Sequence, residues 1–308
     1  MSSLRHWWAF SRPHTIIGSF LSITALYVIA SFEAGYSLQQ SPAALLQHEW
    51  PHWLHTLVAA LACNVFIVGL NQWQDVEVDR INKPWLPLAS GAISLPAAKA
   101  VVIGSLLLSL AVAALEGWWL LGLIAIINAI GAAYSLPPFK LKRHHLPAAV
   151  AIVGVRGLLV NLGMTAHFMQ QLTDSYRIPA AIWPLAVFVV GFSFGIAWFK
   201  DIPDTSGDEQ FAFKTLAVTM SRRTALWLGV AVVGASYLLL GVAPWVWQMP
   251  VHKGFFTGIH ALASGCFVWQ ASRLSLQNEA AIKRFYMFFW LLFFLEYIFY
   301  PLAYWLAA

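Results

Sequence analysis

The chain has 308 residues, 60% of them hydrophobic and 10% charged, against about 25% charged in an ordinary soluble domain. That composition excludes a soluble globular protein. A formal charge of +5 on so apolar a chain points to lipid headgroups or phosphorylated substrates rather than nucleic acid.

Arg5 and Arg12 precede a first apolar segment that is too long for a signal peptide and has no small-residue cleavage site, so it is read as a retained span. Segments of about 17 to 25 mostly apolar residues can cross a bilayer. Nine are expected, at roughly 14 to 32, 53 to 72, 96 to 115, 118 to 136, 146 to 168, 180 to 200, 224 to 243, 254 to 272 and 285 to 305. The apolar runs are continuous rather than alternating, which selects helices over a barrel, because backbone polar groups in lipid must bond internally. The expected fold is a single all-α integral membrane domain over residues 1–308. Residues 33 to 52, with Glu33, Pro42 and Glu49, and residues 169 to 179 read as polar connections. Cys63 and Cys266 lie in apolar runs, without the spacing of a disulfide framework or a metal knuckle.

Nine spans put the N-terminus and the loops after the second, fourth, sixth and eighth segments on one side. That side collects Arg5, Arg12, Arg80, Lys83, Lys99, Lys140, Lys142, Arg143, Lys200, Lys214, Arg222, Arg223, Arg273, Lys283 and Arg284. The other side has Arg177 and Lys253, and Arg156 stays inside the fifth segment. Basic loops face the cytoplasm. The expectation is a multi-pass protein with its N-terminus on that side.

The second segment runs out into Asn71, Asp75 and Asp79, spaced by four. On one helix such steps advance about 40° each, so the three oxygen-bearing side chains would share a face with neighbouring Cβ atoms roughly 6 Å apart. Crowded carboxylates repel, and a site that keeps them together supplies a cation. Hard ions such as Mg²⁺ take oxygen ligands and leave positions for phosphate. The plain alternative is a solvated helix end.

The loop after the fourth segment holds Tyr134, Lys140, Lys142 and Arg143. Lys140 and Lys142 are candidates to neutralise a diphosphate leaving group, against the ordinary positive-inside charge favoured for Arg143. Tyr134 could donate to the same group or belong to the interfacial aromatic belt. After the sixth segment come Asp201, Asp204 and Asp208, spaced by three and four, with Pro203 tolerable where a new helix begins. Each acidic triplet has a lysine a few residues on, Lys83 or Lys214, a pattern that fits duplication of a four-helix unit. The two triplets together make a site for two Mg²⁺ ions bridging a diphosphate.

A cation-coupled transporter is the competing class, but its ion sites lie near the bilayer midplane on interrupted helices. Both clusters here fall at the ends of spans. A lipid-binding scaffold without catalysis is a third reading, against which the two intact acidic triplets argue.

Over essentially its whole length the chain resembles the UbiA superfamily of intramembrane prenyltransferases. Asn71-x3-Asp75-x3-Asp79 is similar to the first aspartate-rich motif of that family and Asp201-x2-Asp204-x3-Asp208 to the second. Tyr134-Ser-x2-Pro137 with Lys140 and Lys142 is similar to the basic loop between them. Phe10-Ser-Arg12-Pro13-His14, Asn82-Lys83-Pro84, Lys200-Asp201-Ile-Pro203-Asp204 and Phe294-Leu-Glu296-Tyr297 most resemble the homogentisate phytyltransferase branch in its cyanobacterial form. The resemblance implies a UbiA-type bundle that moves a phytyl group from phytyl diphosphate to homogentisate with loss of CO₂. The product would be 2-methyl-6-phytylbenzoquinol, for tocopherol biosynthesis, made in a plasma or thylakoid membrane. A geranylgeranyl or solanesyl donor, or 4-hydroxybenzoate or chlorophyllide as acceptor, would share the chemistry.

On that reading the six acidic-motif residues hold Mg²⁺, and Arg12, Lys83, Lys140, Lys142 and Lys214 assist the diphosphate. His14 is a candidate contact for the acceptor, against a capping or interfacial role. Arg156 is costly in lipid and should face a cavity or a partner such as Glu296; it is a candidate for the acceptor carboxylate or a structural ion pair. Asn161 reads as an interhelical hydrogen-bonding residue, and His167 and His260 as structural.

Overall fold

The computed structural model describes residues 3–36 and 50–307. Pro42 and Glu49, placed above in a polar connection, lie outside the described residues.

Helix α1 (Leu4–Phe10) turns at Arg12 into α2 (Pro13–Glu33), where Pro13 takes the first helical position that its missing N–H suits. Then come α3 (Trp50–Gln74), the short α4 (Val76–Asn82), α5 (Leu95–Leu115) and α6 (Trp118–Ser135). A single 3₁₀ turn (Leu141–Arg143) leads into α7 (His145–Thr173), whose middle, Gly154–Met164, is wound as a π-helix. The second half holds α8 (Ile182–Phe199), the short α9 (Thr205–Gln210) and α10 (Leu216–Thr219), then α11 (Arg222–Val246), α12 (Lys253–Ser272) and α13 (Glu279–Trp305).

Among the described residues nine helices reach 18 residues or more, and each covers one of the expected spans. Eight are long and apolar enough to cross a membrane. The exception is α12, where Thr257, His260, Ser264 and Gln270 dilute the apolar run. The far face of α12 carries exposed Leu262, Val268 and Trp269.

The helices close into a ring. Helix α2 packs on α3, α3 on α5 and α6, α7 on α8, α8 on α11, α11 on α12, and α13 returns to α2. Small residues permit the close crossings, as expected where dispersion rather than water drives helix association. A Cβ on Gly195 of α8 would meet Val233 of α11 at 2.8 Å and Phe289 of α13 at 2.7 Å. The same crossing is filled by the stacked rings of Phe192 and Phe289, whose centres are 4.0 Å apart. Glu296, expected as a partner of Arg156, is instead bonded to His260, Nε2 to Oε2 at 3.0 Å. Asn161 takes its interhelical role, accepting from the Tyr297 hydroxyl at 2.7 Å.

The two ends of the bundle differ. One carries both acidic triplets and the basic loops. At the other, Glu116 accepts from His52 Nδ1 and His55 Nδ1, each at 2.6 Å, and His167 bonds Thr56 at 3.0 Å. His167 is thus structural, as read from the sequence. Its carboxylate neighbour lies 51 residues away along the chain, beyond the reach of any spacing rule.

Candidate functional site

The first triplet does not lie on one continuous helix. Helix α3 stops at Gln74, Asp75 sits at the cap of α4 with φ −113° and ψ 16°, and the chain turns there. The step of four survives from Asp75 to Asp79, whose amide donates to the Asp75 carbonyl at 2.7 Å. The second triplet repeats this local design. Helix α8 ends at Phe199, the chain turns through Asp201, Ile202 and Pro203, and Asp204 caps α9. Aspartate is a favoured cap because its side chain can accept from the first-turn amides, yet neither Asp75 nor Asp204 uses its carboxylate this way. Both remain available to other partners.

The short helices α4 and α9 pack together. Asn82 ties them, accepting from the Gly207 amide at 2.9 Å and donating to Asp208 at 3.5 Å. This contact joins the two motifs over the mouth of a cavity of about 950 Å³. Asn71, Asp75, Asp79, Asp201, Asp204 and Asp208 all line it, together with Arg12, Lys83, Tyr134 and Lys142. Lys140 and Lys214 do not. The Lys140 ammonium lies 5.6 Å from the Phe213 ring centre, and the exposed Lys214 contributes backbone, pairing with His144 in a parallel bridge.

Ammonium groups already stand against the carboxylates. Lys142 donates to Asp75 at 2.6 Å, Lys83 pairs with Asp204 across the two motifs, and Lys200 donates to Asp201 at 2.5 Å. Lys200 was not among the sequence candidates. Its only signal was its position, the last residue of a span immediately before an acid.

Burial raises the Asp79 carboxyl to about 6, partly offset by Lys83 and Arg12. Burial also lifts Asp208 to about 7, with Asp201 and Asp204 adding repulsion. For Lys142 burial lowers the pKa, against the pull of Asp75. For Lys200 burial acts in the same sense but the Asp201 carboxylate outweighs it and holds the amine charged.

Below this polar mouth the wall is apolar and aromatic. Arg156, on the π-helical stretch of α7, points into the cavity, its guanidinium carbon 5.0 Å from the Trp290 ring centre and 5.2 Å from that of Phe293. Its Nε is buried without a hydrogen-bond partner. His14 meets the same Trp290 edge-on at 4.9 Å. The π-helical winding is secured by Asn161, whose amide donates back to the Arg156 carbonyl at 2.9 Å while its oxygen accepts from Tyr297.

The donor set fits a hard divalent cation, being carboxylate and amide oxygen throughout, and Asp75 Oδ1 is buried with no partner. Among the described residues no three His, Cys, Asp or Glu side chains converge to chelate an ion by themselves. Mg²⁺ does not need such a cage, since it binds through one or two carboxylates plus substrate phosphates and waters. The mouth therefore suits an ion shared with an anionic substrate, above an apolar chamber that holds one arginine.

Residues 40–292 match the sequence profile of the UbiA prenyltransferase family. A homogentisate phytyltransferase of Synechocystis sp. is 40% identical over 306 residues, covering 99% of this chain and 97% of its own length. A homogentisate geranylgeranyltransferase of Triticum aestivum is 34% identical, covering 97% of this chain and 72% of its own. The fold is similar to that of a UbiA homolog from Archaeoglobus fulgidus bound to GPP and Mg²⁺, with a TM-score of 0.63 at 18% identity over 97% of this chain and 99% of that one.

Proposed function

The chain belongs to the UbiA prenyltransferase family, and from that premise we propose that it transfers a phytyl group from phytyl diphosphate to homogentisate. The acceptor loses CO₂ and the product is 2-methyl-6-phytylbenzoquinol, in tocopherol biosynthesis. The observation that carries this reading is the vertical order of the cavity: carboxylates and ammonium groups at the mouth, an apolar aromatic chamber beneath, and in that chamber Arg156 without a carboxylate partner among the described residues.

Asn71, Asp75, Asp79, Asp201, Asp204 and Asp208 would hold Mg²⁺, two ions in our reading. When bound, the metal supplies Lewis-acid stabilisation of the departing diphosphate. Arg12, Lys83, Tyr134 and Lys142 face the same group and take up its charge as the C–O bond breaks, while Lys140 and Lys214 act on its approach from the surrounding loops. The isoprenoid tail lies among the chamber's apolar side chains. Aromatic side chains of the wall stabilise the allylic cation, and the close packing around Trp290 and Phe293 excludes the water that would quench it. Arg156 and His14 bind the acceptor, the arginine through its carboxylate, so that the electron-rich ring faces the cation. Loss of the proton from the attacked ring carbon restores aromaticity, and the side-chain carboxylate leaves as CO₂ while its methylene carbon takes up a proton and becomes the methyl group. The mouth lies on the cytoplasmic side, where positive-inside charge puts the basic loops.

A second reading keeps the chemistry and changes the donor to geranylgeranyl diphosphate. It is favoured by the Triticum aestivum relative, a homogentisate geranylgeranyltransferase, which differs by name from the Synechocystis one only in the group transferred. Purified protein incubated with homogentisate and a panel of prenyl diphosphates, with Mg²⁺ or with EDTA, tests both. Product with phytyl diphosphate and Mg²⁺ is expected. A stronger preference for geranylgeranyl diphosphate selects the second reading, and no prenylated product with any donor sinks both.

A further inference from the structure

Three of the five aspartates in the two motifs have one carboxylate oxygen bonded to a lysine. Lys142 Nζ lies 2.6 Å from Asp75 Oδ2, Lys200 Nζ lies 2.5 Å from Asp201 Oδ1, and Lys83 pairs with Asp204 Oδ2. The pairs are not a sealed structural core, since all six side chains line the cavity. Nor do they saturate the carboxylates, because Asp75 Oδ1 is buried with no partner at all.

An ammonium and a divalent ion on one carboxylate repel each other, and the oxygen that each lysine holds is withheld from bidentate coordination. A divalent ion that takes these aspartates therefore drives their lysines off. The displaced ammonium then has no carboxylate, and for Lys142, whose side chain is 4% exposed, it has almost no water either. An unpaired charge in such a place is strongly disfavoured. Relief requires an anion that arrives together with the cation. A diphosphate is such an anion, and the lysine chains already end at the mouth that would receive it.

We propose that Lys83, Lys142 and Lys200 are exchangeable counter-ions: each occupies an aspartate of the site until a divalent cation takes the carboxylate, and then moves to a diphosphate oxygen. The inference rests on the prenyl-diphosphate reading of the cavity and adds to it a coupling. Cation and diphosphate each bind weakly alone and tightly together, and by linkage each raises the other's affinity by the same factor. The exchange also gives Lys200 a function as a positioning residue for Asp201 that passes to substrate.

Static clamps predict the opposite behaviour on mutation. If the lysines merely hold the aspartates in place, removing one disorders the carboxylate and weakens cation binding. If they compete with the cation, removing one strengthens it. The experiment measures Mn²⁺ binding by electron paramagnetic resonance to the purified full chain in detergent, with and without inorganic pyrophosphate, after correction for the complex the two form in solution. In the wild type, saturating pyrophosphate should tighten Mn²⁺ binding about tenfold or more. In Lys142→Met and Lys200→Met, Mn²⁺ alone should bind several-fold more tightly than in the wild type, and the gain from pyrophosphate should shrink. Lys83→Met, at a pair whose lysine is about as accessible as Lys200, provides the same comparison should the buried Lys142 substitution fail to yield folded protein. Wild-type binding with variants that bind Mn²⁺ alone no better than the wild type overturns the exchange and leaves the proposed function intact. No Mn²⁺ binding by the wild type under any condition overturns both.

Discussion

The Arg156 guanidinium carbon lies 5.0 Å from the centre of the Trp290 indole. An arginine held over an aromatic face keeps its N–H edge free for a ligand, whereas one locked to a carboxylate does not. Glu296, the carboxylate nearest in expectation, is bonded to His260 instead. Replacing Arg156 by Lys keeps the charge and removes the planar fork. The homogentisate KM should rise roughly 10- to 100-fold, the worth of a hydrogen bond to a charged group. The KM for the prenyl diphosphate should stay within about threefold, and steady-state kinetics varying each substrate in turn checks the split.

Asp75→Asn and Asp204→Asn keep side-chain volume and remove the charge that faces Lys142 and Lys83. Each should lower kcat by about 100-fold or more, the scale of losing a group that stabilises developing charge. Helical circular dichroism should be unchanged, because neither carboxylate caps its helix. Near-normal turnover in either variant would contradict a metal role for that residue.

The raised carboxyls of Asp79, at about 6, and Asp208, at about 7, fix a pH dependence of stability. Below about pH 4 both folded and unfolded chains carry these groups protonated, and they contribute nothing. Between there and pH 7 the unfolded chain releases the protons first, so the two groups subtract stability as pH rises, and the penalty is complete above their folded values. Mg²⁺ binds the ionised forms. Its stabilising effect on the melting temperature should therefore be small at pH 5.5 and larger at pH 8, in melts of detergent-purified protein with Mg²⁺ or EDTA. An equal shift at both pH values would rule out these carboxylates as the ligands.

Gly157 lies where α7 meets α8. A Cβ there would sit 3.0 Å from the Val190 Cα and 3.1 Å from its amide nitrogen, backbone atoms that cannot swing aside. Gly157→Ala should destabilise the bundle by about 1–3 kcal/mol, the range for overpacking. Because the residue follows Arg156, it should also raise the homogentisate KM. A thermal shift with unchanged acceptor KM would show that the arginine is positioned independently of the α7–α8 contact.

The apolar runs, the two acidic triplets and their common end were legible because each is a local pattern: a run long enough for a bilayer, or a spacing of three or four. The π-helical stretch of α7 was not, since nothing in the order Arg156, Gly157, Asn161 declares a winding that depends on Tyr297 from another helix. Lys200 is legible as a charge at the end of a span, but its place in the site is not, for the same reason. Its partner adjoins it, but the cavity it faces is also lined by α2, α3, α6, α7 and α13. The break at Asp75 shows a limit of periodicity, because a step of four holds across the join of a long helix and a short one as well as along a single helix.

The parallel bridge between His144 and Lys214 fastens two loops from different halves of the chain. The Lys214 amide donates to Arg143 at 2.7 Å, and its carbonyl accepts from the His145 amide at 3.0 Å. Elsewhere on the rim Trp85 is met by a side chain, with the Lys283 ammonium 4.8 Å from its ring centre. The rim therefore has a stiff arc and a compliant one. Motions that widen the mouth are expected to open at Trp85, and amide hydrogen exchange at Lys214 and His145 would be among the slowest of any loop positions, since neither amide is released unless the clasp as a whole lets go.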